Sequence, residues 1–281
     1  MNVRIIVDST ADLHEGLKER FTVVPLTILF GDQEYTDGVT ISQQEFYEKL
    51  VESDVLPTTS QATPEAFTQV FDRVREAGES AVVLTISSKL SGTYQSAMIA
   101  ATEYENIHVV DSGTVAIGTG ILAELALRLV DSGMSAMEIA QILEQEKKNI
   151  RIVAMVDTLE YLKKGGRISK AVAFAGGLLN IKPVLSVVDG EINMLGKARG
   201  SRQGNNLLVT EITKAGGVDF SKPVLLGYTG LTDVYLKKYM EDSRDIWEQG
   251  AERLNYTVVG SVIGTHAGPG AIAAAFFRNN N

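Results

Sequence analysis

The run Ala81-Val82-Val83-Leu84-Thr85-Ile86 passes through Ser87-Ser88-Lys89-Leu90-Ser91-Gly92-Thr93 into Tyr94-Gln95-Ser96-Ala97, an apolar segment followed by a polar loop and a helical pattern. A short, continuously apolar run rich in Val and Ile reads as a strand covered on both faces, the environment of a parallel sheet. The succession recurs: positions 3–7, 23–30, 107–110 and 151–156 read as further strands. Between them, Ser42-Gln43-Gln44-Glu45 and Ser135-Ala136-Met137-Glu138 have the spacing of capping boxes, in which hydroxyl and glutamate satisfy orphan N–H groups at a helix start. Thr63-Pro64-Glu65 joins an N-cap hydroxyl to a proline at the first helical position, and Gly78 and Gly133 suit left-handed helix ends. This alternation predicts an α/β fold with a mostly parallel, doubly wound sheet.

The pattern changes at Gly165-Gly166, read as a hinge. Beyond it, apolar runs at 183–188 and 191–195 flank Asp189-Gly190, which spells a β-hairpin and brings in antiparallel pairing. Strands at 224–228 and 258–263 complete a smaller α+β lobe. We therefore expect one body of two lobes, a parallel α/β lobe over approximately 1–160 and an α+β lobe over approximately 161–281.

Composition narrows the function. With 281 residues, 44% of them hydrophobic, the chain can bury a sizeable core. A net charge of -9 is the opposite of the basic stripe that displaces counterions from a phosphate backbone, so no nucleic-acid partner is expected. The absence of cysteine removes disulfides, thiolate nucleophiles and Cys-based zinc sites, and with only His14, His108 and His266 no metal site is expected. Residues 1–8 lack the basic and apolar regions of a secretory signal, and no apolar run approaches bilayer-spanning length. The expectation is a soluble cytoplasmic protein without stable membrane insertion.

Two segments imitate the dinucleotide fingerprint, Gly118-Thr119-Gly120-Ile121-Leu122-Ala123 and Gly268-Pro269-Gly270-Ala271-Ile272-Ala273, a cheap match in a chain with 26 glycines. The first falls inside a helical pattern, where glycine serves close packing; the second leaves too little chain for the rest of a βαβ unit. P-loop, zincin and α/β-hydrolase motifs are absent. Asp8-Ser9-Thr10-Ala11-Asp12 is assigned to turn and cap chemistry.

Three hydroxyl-rich loops remain, each placed at a strand-to-helix junction: Thr58-Thr59-Ser60-Gln61, Ser91-Gly92-Thr93 and Thr265-His266-Ala267-Gly268. Unpaired N–H groups and the helix dipole favour an anion at such a junction, hydroxyls add donors, and glycine admits close approach. On residue type alone, capping is the commoner role for Ser91 or Thr93, and a lone loop histidine is most often simply a satisfied polar group. Convergence of the three on one spot would make a carboxylate or phosphate site. Arg167 and Arg199 stand beside glycines, where a guanidinium can reach a phosphate or a partner's carboxylate; a surface salt bridge explains them equally well.

Taken in order, Asp8-Ser9-Thr10, Thr59-Ser60-Gln61, Leu90-Ser91-Gly92-Thr93-Tyr94, Gly165-Gly166-Arg167-Ile168-Ser169, Lys182-Pro183 and Thr265-His266-Ala267-Gly268-Pro269-Gly270 resemble the DegV family, which includes the fatty-acid-binding subunits of bacterial fatty acid kinase. The resemblance spans essentially the whole chain. It departs from the family at Ala62, where proline is usual, and at Ala267, where a polar residue is usual.

The resemblance implies a lipid-binding carrier rather than an enzyme. A long-chain fatty acid such as palmitate would lie between the lobes, its carboxylate held by Thr59 and Ser91 with His266 close by, and with Gly92 and Thr93 as additional contacts. A partner kinase supplying ATP and metal would convert the carboxylate to an acyl phosphate, and Arg167 and Arg199 match positions linked to that encounter. No cofactor is expected besides the bound acid. The segment 171–179 is a candidate tunnel wall, with Phe174 and Leu178 as lining residues, although ordinary core packing is the more economical reading. The competing hypothesis is a stand-alone enzyme acting on a small phosphorylated metabolite at the same anion site.

Overall fold

Two strands predicted from their continuous apolar runs, β1 (Val3–Asp8) and β6 (Ser80–Thr85), lie side by side in the middle of a four-stranded sheet. The computed structural model, which describes residues 2–168 and 181–279, places β2 (Phe21–Val24) and β7 (Ile107–Asp111) at its edges, and every pairing is parallel. Its carboxyl-terminal edge carries the loops after β1 and β6, where open α/β sheets present ligand sites.

A second, six-stranded sheet runs β10 (Glu191–Arg199), β9 (Ile181–Val188), β8 (Ile150–Met155), β13 (Ile272–Phe277), β11 (Leu225–Tyr228), β12 (Asn255–Val258). Only the β11–β12 pair is parallel. The hairpin turn has φ of 50° at Asp189 and 81° at Gly190, the paired left-handed geometry that suits a two-residue turn between twisted strands. A small antiparallel sheet, β4 (Gln33–Thr36), β3 (Thr27–Phe30), β5 (Thr58–Ser60), sits beside the first. The α/β class with one parallel and one mixed sheet is as expected.

Helix starts also agree with the sequence. Ser42 and Ser135 complete capping boxes at α1 (Gln43–Glu52) and α5 (Ala136–Glu146), and Thr63 caps α2 (Pro64–Glu76). Following α3 (Thr93–Ala101), α4 (Ile117–Asp131) is apolar on almost every side because it lies between the two sheets, packed on β1 from one and on β8, β11 and β13 from the other. The glycines of the first false fingerprint explain this approach: a Cβ on Gly120 would strike the Asp12 carbonyl, and one on Gly118 would strike Ile152. Later helices are α6 (Glu160–Lys164), α7 (Gly200–Lys214), α8 (Val234–Asp242), α9 (Arg244–Trp247) and α10 (Ser261–Ala267), of which α7 and α8 cover the outer face of the six-stranded sheet.

Four expectations change. The run 23–30 is two strands, because Pro25 has no N–H to continue a ladder and Ser9 Oγ accepts the Leu26 N–H at 3.0 Å. The strand at 151–156 belongs to the mixed sheet, between antiparallel neighbours, rather than to the parallel one. The run 258–263 is not one strand: β12 stops at Val258 and α10 begins at Ser261. Residues 272–277, of which only Ile272 and Ala273 enter the sequence reading, within a false fingerprint, form the central strand β13. Consequently His266 stands in the last turn of a helix, at a helix-to-strand junction. Among the described residues no helix is long and apolar enough to cross a membrane, and no cluster of three or more His, Asp or Glu could hold a metal ion.

Candidate functional site

Thr59 reaches the site on β5, paired opposite Ile28 of β3. Its Oγ1 lies 2.9 Å from His266 Nε2, which α10 delivers from the other end of the chain. Gly165 makes this possible, since a Cβ there would collide with His266 Nδ1. Gly268, with φ of 71°, both ends α10 and leaves room for the Tyr161 ring. Glycines of two separate sequence motifs thus clear space for ring side chains, Gly165 for His266 and Gly268 for Tyr161 of α6.

The remaining motifs close a ring. Arg167 is drawn inward, donating from Nε to the Leu90 carbonyl at 3.2 Å and from one terminal nitrogen to the Gly165 carbonyl at 2.7 Å. Next to Leu90, Ser91 Oγ lies 2.9 Å from Thr93 Oγ1 and accepts the Thr93 N–H at 3.3 Å. Gly92 then gives way to the Gln61 side chain, whose amide donates to Ser96 Oγ at 2.9 Å. Thr59, His266, Arg167 and Ser91 are brought together on the wall of one cavity of about 1040 Å³, its open mouth included. Gly92 and the fully buried Thr93 do not line it; Thr93 supports Ser91 instead.

Arg199 stands apart, exposed at the end of β10, where its backbone N–H donates to Gln203 Oε1 at 2.6 Å. Lys182 pairs with Asp157. Phe174, Leu178 and Ser169 lie outside the described residues. Asp8 has the structural role assigned to it: one carboxylate oxygen accepts the Thr10 N–H at 2.9 Å and the other the Ile86 N–H at 2.7 Å, tying the ends of β1 and β6 together.

The rest of the wall is mainly apolar, with Thr10, Ser60, Gln61, Ser186, Tyr228 and Thr229 as further polar members, and its apolar part was not identified from sequence. Ile117 comes from α4, Ile152 and Ala154 from β8, Gly227 from β11, and Ala273 from β13. The legible signal was the alternation of alanine along 271–275, a strand that keeps small side chains on one face.

Burial, and secondarily the Arg167 charge, push the His266 pKa down from 6.5 to about 4, so the imidazole is neutral near pH 7. Its Nδ1 is buried without a partner among the described residues. A buried unpaired N–H is rarer than an unused acceptor, which places the proton on Nε2, donating to Thr59 Oγ1. The Thr59 hydroxyl proton is then free to donate into the cavity. Such a site, a greasy enclosure with a few convergent donors, takes an amphipathic anion.

Comparison with known proteins agrees with this chemistry. The DegV family model matches residues 2–279. A DegV domain-containing protein of Caldanaerobacter subterraneus subsp. tengcongensis is 35% identical, with 98% of each chain covered. A DegV family protein from Thermus thermophilus, described for its fatty acid binding, superposes with a TM-score of 0.87 at 31% identity, covering 99% of this chain and 100% of that one. A stearic acid-binding protein from Eubacterium ventriosum gives a TM-score of 0.86 at 29% identity, with 99% and 98% covered. On the family match and the full-length relatives together, this chain belongs to the DegV family.

Proposed function

We propose that the protein holds one long-chain fatty acid, such as palmitate, in the cavity between its sheets and presents the carboxylate to a separate ATP-dependent kinase for acyl-phosphate formation. The observation that carries this reading is the contact of Thr59 with His266 on the wall of a mainly apolar cavity that Ser91 and Arg167 also line. The fatty-acid binding of the Thermus thermophilus relative and the stearic acid of the Eubacterium ventriosum relative support it.

The energetics suit a carrier. Each buried methylene is worth ~0.8 kcal/mol, so a chain of about fourteen supplies roughly 11 kcal/mol before ordering costs. The carboxylate has to keep hydrogen-bond partners, because an unpaired buried polar group costs roughly 2–7 kcal/mol. Thr59 and Ser91 donate to it as neutral hydroxyls, His266 is itself neutral, and the charged Arg167 on the same wall is turned to the Leu90 and Gly165 carbonyls. The oxygen therefore keeps its nucleophilicity toward a phosphoryl donor. The subunit contributes positioning, and the kinase contributes ATP and metal. Arg167 and Arg199 are assigned to the encounter with the kinase and its phosphate.

Native mass spectrometry of the purified protein tests the reading. A co-purifying mass of long-chain acid size is expected. Empty protein that instead binds sugar phosphates would favour a stand-alone enzyme acting on a small phosphorylated metabolite.

A further inference from the structure

Ser87, in the loop that leads from β6 to Ser91, is completely buried and lies outside the cavity wall. Each of its polar groups is used. Its N–H donates to the Thr114 carbonyl at 2.9 Å, and its carbonyl accepts the N–H groups of Leu90 at 2.9 Å and Ser91 at 3.2 Å. Its hydroxyl oxygen accepts the Lys89 N–H at 3.2 Å and donates its own proton to the Gly190 carbonyl at 2.8 Å. The bonds within 87–91 wind the loop on itself, as serine commonly does in turns. The bond to Gly190 is different in kind, because it reaches 103 positions along the chain to the tip of the β9–β10 hairpin.

This contact is shaped from both sides. Gly190 has φ of 81°, and a Cβ on it would sit 2.4 Å from Ser87 Oγ and 3.3 Å from Lys89 Cγ, so glycine is what lets the tip come this close. Just behind the tip, Val187 and Ile192 face each other across the hairpin and line the cavity. On the Ser91 side of the loop, Arg167 Nε donates to the Leu90 carbonyl at 3.2 Å. The two hydroxyls assigned to the carboxylate are therefore braced in the same way. Thr59 is met by His266 and the Ser91 loop by Gly190, in each case from more than a hundred positions away in the chain.

We propose that Ser87 is a positioning residue for the head group: by fastening the Ser91 loop to the hairpin tip, it fixes the Ser91 hydroxyl where the carboxylate of the bound acid meets it. This deepens the fatty-acid reading of the cavity and rests on it. A binding group has to be held within about 0.5 Å of its place by the residues behind it. Without the Ser87 hydroxyl, the Lys89 N–H and the Gly190 carbonyl lose a partner, loop and tip separate, and Ser91 drifts from the carboxylate. A residue that acts only through Ser91 cannot cost more affinity than removal of the Ser91 hydroxyl itself, and that sets a ceiling on the effect.

The test is a double-mutant cycle of Ser87→Ala and Ser91→Ala on delipidated full-length protein, with palmitate affinity read by displacement of a fluorescent fatty acid. Ser91→Ala should weaken binding by about 10- to 100-fold, the worth of a hydrogen bond to a charged group. Ser87→Ala should weaken it by about fivefold in the wild-type background. In the Ser91→Ala background the same change should cost less than about twofold. If alanine there fails to fold, Ser87→Cys, which keeps the side-chain size and only a weak donor, carries the same cycle. An equal loss in both backgrounds, a loss larger than that of Ser91→Ala, or an unchanged affinity overturns the positioning role while leaving the fatty-acid reading in place. Wild-type protein that binds no palmitate overturns both.

Discussion

Replacing Gly165 by alanine puts one methyl group where the His266 ring stands. Gly165 has φ of -71° and ψ of -10°, a conformation alanine adopts freely, so the backbone is not strained. In open space such a change would stabilise by about 0.4–1 kcal/mol through the unfolded chain. Here the new Cβ meets His266 Nδ1. Overpacking of this kind costs about 1–3 kcal/mol. Turning the ring aside also breaks its contact with Thr59, worth about 1 kcal/mol. The net expectation is a loss of about 1–3 kcal/mol in stability, together with weaker retention of the acid, from a residue that does not itself line the cavity. The decisive measurement is a double-mutant cycle with His266→Ala, read by urea unfolding. Without the ring, the added methyl is left against the Tyr161 carbonyl at 3.1 Å, and most of the cost should vanish. An equal loss in both backgrounds would refute the claim that Gly165 exists to seat the imidazole.

Other consequences can be checked independently. Thr59→Val keeps the side-chain shape but removes the donor, so acid occupancy should fall with an affinity loss of about 1.5–3 kcal/mol, while Thr59→Ser keeps it. Ser91→Ala should act in the same direction, measured by the same retention assay. Arg167→Ala and Arg199→Ala should keep the lipid yet lose acyl-phosphate formation with the kinase; loss of lipid instead would place them among the head-group ligands. The folded-state pKa of His266, about 4, is below its ordinary 6.5, so the unfolded state binds the extra proton between these values. Its contribution to stability is therefore present above about pH 6.5 and falls as pH is lowered toward 4, and the imidazole NMR titration should show a midpoint near 4. Asp37 runs the other way, its pKa being raised by burial from 3.8 to about 6, so that ionising it costs stability as pH rises through that window. Asp37→Asn should be more stable than wild type above pH 6 by about 3 kcal/mol, with the difference gone below pH 4 in urea unfolding.

Legibility followed the range of the interactions involved. Capping boxes at Ser42 and Ser135, the Thr63 cap and the Asp189-Gly190 turn are satisfied by neighbours in sequence, and each appears where its residues stand. The start of α10 is the opposite case. Val258-Val259-Gly260-Ser261-Val262-Ile263 has the composition of a strand, but Asp12 accepts the Gly260 N–H at 2.6 Å, and the Tyr47 hydroxyl donates to the Val259 carbonyl at 2.8 Å. Partners more than two hundred positions away decide that helix, and no local pattern encodes them. The polar end of the site was readable because Thr59, Ser91, Arg167 and His266 each belong to a distinctive motif. The apolar end was not, because Ile117, Ile152 and Ala154 look like any core residue until the register of β8 and β13 is known.

Ala154 and Ala273, left half-covered on central strands, mean that the protein does not finish its own interior. Whatever fills that gap becomes structural material. Its supply then enters the folding equilibrium by mass action, at RT ln(1 + [L]/Kd). If the proposed acid is that filler, a starved chain should melt earlier and be cleared sooner by proteases, so that the amount of protein tracks the supply of acid without any separate sensor.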